Sequence, residues 1–430
     1  MNGSKRVLVI GGGIGGIQAS LDLADGGVEV ILVEREPSIG GRMIQTDRTF
    51  PTLDCSSCVL TPKMVEVSLH RRINLLSLSE VVEVIKEGGG FRVKIRKNPR
   101  YVDEEKCTSC GRCAQVCVLA GRIPKEFDEG MGRRGAIFLP FPQAVPQKYL
   151  IDPESCLKLK KGRCKKGPPC VDACEVGAIN FDDKPRLLQY QVDAILIATG
   201  FDLFDPIGKP ELGYGRYPEV ITSLELERLM APNGPTGGEI RLGDFHPRSF
   251  FFIQCVGSRD RTVGAPFCSR VCCMYTAKHA YIVKERVEGA VVYVSYIDVR
   301  AHGKGYEEFY RRLQDLGVYY LRGVPGEVYK DAKGLIVRVE DQFSAQVREV
   351  ATDMVVLACG IRPRRGMEKF FSSLGIETDD YGFIKTDPMT PFKTNIPGVF
   401  ACGVVTGPKD IPDSVASASC AALACVEYIS

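Results

Sequence analysis

The run Arg6-Val-Leu-Val-Ile-Gly-Gly-Gly-Ile-Gly-Gly16 decides the fold of this 430-residue chain. A short apolar strand leads into glycines with the spacing GxGxxG, at Gly11, Gly13 and Gly16, and an amphipathic stretch follows. In this spacing the first glycine makes a tight turn, the second lets a diphosphate approach the backbone, and the third lets the helix pack closely on the strand. The run therefore predicts a diphosphate at the positive end of a helix.

A second apolar strand, residues 28–33, ends at Glu34. An acidic side chain at this offset binds the ribose hydroxyls of a dinucleotide. The alternative, a glycine-rich turn without a ligand, is disfavoured because two strands and this glutamate frame the turn. We expect a Rossmann-type dinucleotide site.

Two later segments predict that the dinucleotide is FAD and that the fold contains two Rossmann-like units. Residues 193–200 form an apolar strand ending in Ala-Thr-Gly, and residues 353–360 repeat the pattern. Residues 394–403 resemble the second FAD fingerprint of glutathione-reductase-like flavoproteins, although Val404 replaces the aspartate that usually holds the ribityl chain. The small-residue helix that follows is expected to direct its positive end at the flavin ring; plain core packing is the alternative.

The candidate FAD contacts are spread over both ends of the chain. Lys409 is expected either to tune the charge of the flavin or to serve as a surface residue. The full set is Gly11, Gly13, Ile14, Gly15, Gly16, Glu34, Arg35, Gly41, Arg42, Met43, Thr199, Gly200, Gly403, Lys409, Ile411, Ser414 and Val415.

Eighteen cysteines are far more than packing alone requires. The first residues enter a buried strand almost at once, which leaves no room for a signal peptide, and no apolar run is long enough to span a membrane. We therefore expect a cytoplasmic protein whose cysteines bind metal rather than form disulfides. The net charge of +3 favours neither a nucleic-acid nor a membrane-surface partner.

The densest cysteine motif is Cys107-Thr-Ser-Cys-Gly-Arg-Cys-Ala-Gln-Val-Cys117, which has the spacing of a bacterial ferredoxin. In such motifs the fourth cysteine binds the other cluster. A second set follows, stretched by a lysine-rich insert at residues 158–166. Zinc is the alternative for CxxC pairs, but the three-plus-one pattern disfavours it. We assign one 4Fe–4S cluster to Cys107, Cys110, Cys113 and Cys174, and the other to Cys156, Cys164, Cys170 and Cys117.

A third set, Cys255, Cys268, Cys272 and Cys273, has the unusual spacing C-x12-C-x3-C-C. Adjacent cysteines cannot both adopt simple ferredoxin geometry, so a distorted cluster is expected; the alternative is two buried thiols and a chance pair. The preceding strand lies where a pyridine nucleotide reductase has its second GxGxxG, yet the required glycines are missing. The sequence predicts that a metal site has replaced a nicotinamide site.

The remaining cysteines divide into one close pair and several single residues. Cys55 and Cys58 form a CxxC that fits a redox dithiol, a metal pair, a partner contact or a structural role. The single residues are expected to be small buried hydrophobic side chains. They are Cys359, Cys402, Cys420 and Cys425.

Taken together, these motifs resemble the A subunit of heterodisulfide reductase and the related A subunit of the quinone-interacting membrane-bound oxidoreductase. The matching segments span nearly the whole chain. They are residues 40–43 (GGRM), 50–58 (FPTLDCSSC), the ferredoxin motif, 141–146 (FPQAVP), the third cysteine set and 407–412 (GPKDIP).

The resemblance implies a thioredoxin-reductase-like α/β flavoprotein with an inserted ferredoxin domain, and an unusual 4Fe–4S cluster near the FAD. It also implies an electron-transferring subunit, with FAD splitting electrons between a ferredoxin branch and a disulfide-reducing branch. The methanogen subunit continues into a further ferredoxin domain after the flavin helix, where this sequence ends. We therefore expect one exit path for low-potential electrons to be absent.

Three functions compete at this point. The first is the flavin subunit of a heterodisulfide-reductase-like complex, with B- and C-like subunits and a hydrogenase or other donor as partners. The second is a flavin subunit docked on quinone-reactive membrane subunits. The third is a stand-alone pyridine nucleotide reductase, which the missing glycines disfavour. Pairing of two copies is compatible with each.

We expect three structural units. The FAD-binding unit comprises residues 1–97, 185–215 and 355–430. The two-cluster ferredoxin unit is inserted at 98–184, and the second Rossmann-like unit spans 216–354 and carries the unusual cluster.

Overall fold

The computed structural model describes residues 5–164, 167–332 and 334–430. Part of the predicted lysine-rich insert, Lys165 and Lys166, lies outside the described residues. Among the described residues, no helix is both long enough and apolar enough to cross a membrane.

The N-terminal strand Arg6–Ile10 lies at the centre of a five-stranded sheet in which all neighbouring strands run parallel. Its strands are almost entirely apolar because both faces of the sheet are covered. In spatial order they are Val399–Ala401, Ala194–Ile197, Arg6–Ile10, Glu29–Val33 and Ile73–Leu76.

Helices cover one face of this first sheet and a small antiparallel sheet covers the other. The helices are Ile14–Asp25, Ser56–Leu69 and Ile411–Ile429. The antiparallel strands are Ser79–Glu87, Gly90–Lys97 and Arg186–Val192.

The ferredoxin-like insert leaves and re-enters this unit at one place. Lys97 and Arg186 are directly paired at the ends of neighbouring antiparallel strands, so residues 98–185 leave the small sheet and return to it without disturbing it. The insert has its own small core, which includes Val102, Ile137 and Ile151. Its elements are the strands Ile123–Lys125, Gly132–Arg134, Ile137–Phe138 and Leu150–Ile151, and the helices Arg112–Gln115, Leu157–Lys161 and Pro169–Asp172.

A second five-stranded parallel sheet repeats the plan of the first. Its strands are, in spatial order, Val220–Thr222, Met354–Cys359, Ser249–Val256, Val291–Tyr296 and Tyr319–Arg322. Its helices are Ser223–Met230, Cys272–Arg286 and Tyr306–Asp315, and its antiparallel strands are Pro325–Asp331, Gly334–Asp341 and Gln346–Thr352. A further helix, Glu368–Leu374, follows in the chain.

Two aspartates show that the sheets are equivalent. The Asp193 carboxylate accepts a hydrogen bond from the backbone N–H of Arg6, at 2.8 Å, where the first sheet's central strand begins. The Asp353 carboxylate does the same for Arg248 and Ser249, each at 2.8 Å. The repeated sequence pattern at these two positions therefore reflects a repeated structural role.

The structure moves one predicted boundary. We expect the FAD-binding unit to resume at residue 355, but Met354–Cys359 pairs with Val220–Thr222 and Ser249–Val256 in the second sheet. The chain then crosses back through Ile361–Pro363, which pairs with Phe201–Leu203. A buried apolar strand followed by glycine occurs in both units, so the pattern alone does not say to which sheet this strand belongs.

A buried ionic network holds the second unit against the first. The Glu227 carboxylate forms an ion pair with Lys278, accepts a hydrogen bond from His279 Nε2 at 2.6 Å, and accepts another from the Asp47 N–H at 2.9 Å. Asp47 in turn pairs with Arg286 at 2.8 Å. Because these groups are buried, the contacts fix where the two units meet.

Candidate functional site

The glycine-rich turn after Arg6–Ile10 is shaped by close backbone contacts. A β-carbon on Gly11 would lie 2.4 Å from the carbonyl oxygen of Ala198, and Gly11 has a φ of +107°. A β-carbon on Gly16 would lie 1.8 Å from the Gly11 carbonyl oxygen. Both positions therefore require glycine for the turn and the helix packing themselves.

Gly13 is different, because the protein leaves the space beside it open. The nearest atom to a β-carbon there would be the Gly41 Cα, 4.0 Å away. A side chain at Gly13 would thus meet no protein backbone but would project into the groove where a diphosphate is expected. This open cradle fits the predicted role of the second glycine.

Glu34 is fixed to the same turn. Its Oε2 accepts a hydrogen bond from the Gly12 N–H at 2.6 Å, and its Oε1 accepts one from the Glu36 N–H at 2.8 Å. Burial raises the pKa of Glu34 above its usual range. A carboxylate held at this position can accept hydrogen bonds from ribose hydroxyls.

Three guanidinium groups lie around this region, and one of them was not predicted. Burial lowers the pKa of Arg364, and the positive charges of Arg35 and Arg42 lower it further against the attraction of Asp202. Guanidinium groups that repel one another fit an anionic ligand such as a diphosphate. The arginine-rich segment after the repeated strand, residues 361–365, was the available signal.

The Ala-Thr-Gly turn supplies a further mark of a ligand. The Thr199 hydroxyl is buried and has no hydrogen-bond partner among the described residues. The next residue, Gly200, has a φ of +72° and open space where a side chain would be. A buried polar atom without a partner beside open space fits a bound polar molecule, so these residues fit FAD, which would supply a two-electron carrier able to pass electrons singly.

The C-terminal helix Ile411–Ile429 begins beside the Gly403 turn. Its N-cap Asp410 accepts a hydrogen bond from the Asp413 N–H, and the Gly403 N–H donates to Ser417 Oγ at 2.9 Å. Farther along, its alanine face packs against Ile14–Asp25. The core-packing alternative therefore describes the body of the helix, while its N-terminus faces the predicted flavin side.

The remaining predicted contacts on this side lie in well-defined positions. Lys409 Nζ donates to Thr406 Oγ1 at 2.6 Å, and burial lowers the pKa of Lys409. Val404, in place of the usual aspartate, packs on Ile361 and Phe383. Ile14, Gly15 and Gly16 start the first helix, Met43 is buried in the 3-10 helix Met43–Gln45, and Ile411, Ser414 and Val415 lie in the first turns of the C-terminal helix.

The eight cysteines of the insert line two separate cavities. Cys107, Cys110, Cys113 and Cys174 line one of about 330 Å³. Cys117, Cys156, Cys164 and Cys170 line another of about 370 Å³. The fourth cysteine of each motif thus lies with the other motif's three, which is the exchange that the spacing predicts.

The thiols within each set are close enough to influence one another. Burial, followed by repulsion from its set, raises the pKa of Cys113 to about 11 and that of Cys170 to about 12. Among the described residues, no three His, Cys, Asp or Glu side chains converge to hold a single metal ion. Four sulfurs around a cavity fit a 4Fe–4S cluster better than one zinc ion, and a coordinating metal would remove the thiol protons.

The third set is also brought together. Cys255 ends its strand with a φ of +60°, where the pairing register shifts, while Cys272 and Cys273 begin the helix Cys272–Arg286. Burial, and then repulsion from the other three cysteines, raises the pKa of Cys255. A positive φ outside glycine at such a position stores strain of the kind found at functional sites.

Polar groups surround the third set, and spacing arguments could not identify them. The Arg270 N–H donates to Cys268 Sγ at 3.3 Å, and Cys273 Sγ contacts Gln254 Oε1 at 3.7 Å. The Arg300 pKa is raised, chiefly by the Cys268 charge. Hydrogen bonds and charges next to ligand sulfurs tune an iron–sulfur site.

The predicted CxxC lies at the surface. Cys55 caps the helix Ser56–Leu69, with its Sγ accepting a hydrogen bond from the Cys58 N–H at 3.2 Å, and both residues are exposed. A hydrogen bond with Cys55 raises the pKa of Cys58. Of the single cysteines, Cys420 is exposed, contrary to our expectation, because it lies on the outer face of the C-terminal helix.

Three family models match the chain. The model described as "Pyridine nucleotide-disulphide oxidoreductase" matches residues 172–422, which is more than half of the chain. "FAD dependent oxidoreductase" matches residues 6–95, and "4Fe-4S binding domain" matches residues 100–117.

Curated relatives match nearly all of this chain. It is 49% identical over 427 residues to the iron-sulfur A subunit of CoB--CoM heterodisulfide reductase from Methanocaldococcus jannaschii, covering 98% of this chain and 64% of that protein. It is 50% identical over 426 residues to one of the corresponding iron-sulfur A subunits of Methanopyrus kandleri, covering 97% and 63%. It is 47% identical over 423 residues to the A subunit of H(2):CoB-CoM heterodisulfide,ferredoxin reductase from Methanothermobacter marburgensis, again covering 97% and 63%. The chain thus spans about 64% or less of these relatives.

Solved structures share the fold at low identity. Thioredoxin reductase from Lactococcus lactis (FR conformation) aligns with a TM-score of 0.54 and 16% identity, covering 99% of both chains. The T. acidophilum enzyme aligns with a TM-score of 0.55 and 16% identity, covering 99% of this chain and 100% of that chain. The predicted fold class, an α/β thioredoxin-reductase-like flavoprotein with a ferredoxin insert, is confirmed.

Proposed function

Because the chain belongs to the pyridine nucleotide-disulphide oxidoreductase family, as a homologue of the heterodisulfide reductase A subunit, we propose that it passes electrons between FAD, three 4Fe–4S clusters and partner subunits. Family membership confirms the predicted oxidoreductase class. The proposal covers the number of clusters, the residues that hold them, the partners and the reaction.

The sorting of twelve cysteines into three sets is the observation that carries the proposal. Two sets line cavities in the insert, and the third lies where the second sheet meets the C-terminal flavin loop. Clusters accept one electron each, whereas a flavin accepts two. A chain holding both kinds of group can split an electron pair into single steps.

A stand-alone NAD(P)H reductase is disfavoured by the second unit. Gly257 lies in the turn after the strand Ser249–Val256, where a nicotinamide-binding unit has its glycine-rich cradle. The ring of Phe204 fills the space next to Gly257, so a diphosphate has no open approach of the kind seen at Gly13.

The relatives' names support a heterodisulfide-reductase-like complex over a quinone-linked one. The M. marburgensis name includes H2, the CoB-CoM heterodisulfide and ferredoxin. Carried over to this chain, these names support B- and C-like partner subunits, a hydrogenase or similar donor, and a flavin that feeds a disulfide branch and a ferredoxin branch.

The proposal is tested by anaerobic purification of the tagged chain from its native host. We expect one FAD and about 12 irons per chain, the content of three cubane clusters, together with cysteine-rich disulfide-reductase subunits. Far fewer irons would overturn the cluster assignment. A co-purifying haem-bearing membrane subunit would favour the quinone-linked alternative, and gel filtration of the isolated chain would show whether two copies pair.

A further inference from the structure

We propose that Arg270 is a positioning residue that fixes the third cysteine set against the flavin loop, residues 408–413, and so sets the electron-transfer contact between them. The inference rests on the proposed function, because it concerns electron flow between FAD and the cluster assigned to the third set. It adds a residue that no cysteine or nucleotide motif marks.

The backbone of Arg270 belongs to the cysteine set. Its N–H donates to Cys268 Sγ at 3.3 Å, and its φ is +62°. A side chain other than glycine is strained in this region of backbone conformation. The residue therefore keeps an unfavourable conformation that turns its N–H towards a ligand sulfur.

The side chain of Arg270 reaches the flavin loop. Nη1 donates to the Pro408 carbonyl oxygen at 3.3 Å, and Nη2 pairs with Asp413 Oδ2 at 3.0 Å. The ion pair is about half exposed, with 41% and 46% of the two side chains accessible, so it adds little to stability. Its consequence is geometric, since one residue touches both a cluster ligand and the loop that starts the flavin helix.

A second contact holds the same loop from the same unit. Tyr306 Oη donates to Asp410 Oδ2 at 2.7 Å, and Asp410 is the N-cap of the C-terminal helix. The loop is thus held at Pro408, Asp410 and Asp413 by residues of the second unit. In the transfer step the reduced flavin gives up one electron and the cluster gains it, with no atom transferred, and the rate falls steeply as the separation grows.

Arg270→Gly separates the two parts of this residue. Glycine adopts the positive φ without strain and keeps the N–H to Cys268, so only the guanidinium is lost. The matched control is Arg300→Ala, which removes a positive charge beside Cys268 from a side chain that pairs with Asp298 of the same unit. Both variants should lower the third cluster's potential, because each removes one positive charge.

The readouts are the rate of electron transfer from photoreduced flavin to the third cluster, by rapid-freeze EPR, and the rate of FAD release. Arg270→Gly should slow the transfer by about ten- to a hundredfold, the cost of a displacement near 1 Å, and release FAD several-fold faster. Arg300→Ala should change neither rate. Equal transfer rates in the two variants would overturn the proposal, since charge alone would then explain the effect.

A further variant covers loss of iron from Arg270→Gly. Asp413→Ala removes the guanidinium's partner and leaves all cysteines and the Arg270 backbone in place; slow transfer supports the proposal, and an unchanged rate overturns it. If the wild-type chain itself lacks the third cluster by iron count, the proposed function fails there. FAD release then still tests whether Arg270 holds the loop, since unchanged release in Arg270→Gly overturns the positioning role.

Discussion

The ring of Phe204 lies directly against Gly257, and a β-carbon on that glycine would be 2.1 Å from Phe204 Cγ. Phe204 follows the strand that links the two units, whereas Gly257 ends the turn before the third cysteine set. Their contact closes the place where a second dinucleotide would bind, next to a site built of thiols.

Gly257→Ala should destabilise the protein through this contact. Gly289 is a matched control, because its φ of +69° is close to the +67° of Gly257 and it has nothing within 4 Å. Alanine at either position costs about 1–2 kcal/mol for the left-handed conformation, and at Gly257 the overpacked ring adds ~1–3 kcal/mol. Urea denaturation that gives both variants the same midpoint would contradict the packing that we describe.

The flavin should not be reduced by NADH or NADPH alone. The expectation follows from the filled space at Gly257 and the missing glycines before it. Anaerobic stopped-flow absorbance at the flavin band tests it, with dithionite as the positive control. Rapid bleaching by either nucleotide would restore the stand-alone reductase.

Gly13→Ala and Gly16→Ala should differ in kind. The open space at Gly13 predicts a chain that folds normally but binds FAD much more weakly, because the methyl group would project towards the diphosphate. At Gly16 the methyl group would clash with the Gly11 carbonyl oxygen, so folding itself should fail. Circular dichroism and FAD titration separate these outcomes, and undiminished FAD affinity in Gly13→Ala would place the diphosphate elsewhere.

The crossed cysteine assignment predicts non-additive losses of iron. Cys107→Ser and Cys174→Ser affect the same cavity, so the double variant should lose about four irons, no more than either single variant. Cys170→Ser with Cys174→Ser, although close in sequence, should lose about eight irons. Cys420→Ser, an exposed site on the C-terminal helix, is the control. Losses that follow sequence order rather than cavity would reject the exchange.

Glu227→Gln should weaken the junction between the two Rossmann-like units. Burial raises the pKa of Glu227, but the Lys278 charge and the hydrogen bond from His279 outweigh it and hold the pKa at about 2. Removing this buried charge leaves Lys278 without its counter-ion and should cost about 3–5 kcal/mol. Glu285→Gln, in a more exposed pair with Arg48, should cost less than about 1 kcal/mol.

The same pair predicts an acid-dependent term. Because the pKa of Glu227 lies below its ordinary value of 4.5, its contribution to stability is complete above that pH and is lost as the pH falls towards about 2. Between these values the wild type should lose stability more steeply than Glu227→Gln. Parallel stability–pH curves would show that Glu227 is not paired as described.

Local sequence signals identified the parts of the site whose chemistry depends on spacing. The glycines at 11 and 16 are required by the backbone within their own strand–turn–helix unit, and the insert cysteines are grouped by short loops. Such constraints are written within a few residues, so the sequence alone reveals them.

Contacts between distant segments could not be read in this way. Arg270 meets Pro408 and Asp413, and Phe204 meets Gly257, only because the two units fold against each other. The strand Met354–Cys359 was assigned to the wrong sheet for the same reason, since its apolar pattern fits either. These features depend on tertiary packing, which the local pattern does not specify.

The central claim is that one chain holds a flavin and three clusters that exchange electrons. A stepwise anaerobic titration of the purified FAD-loaded chain with titanium(III) citrate, followed by visible absorbance and EPR, tests it most directly. We predict that complete reduction takes about five electrons per chain, two for the flavin and one for each cluster, with three distinguishable cluster signals. Completion after about four electrons, with only two cluster signals, would contradict the account by removing the third site.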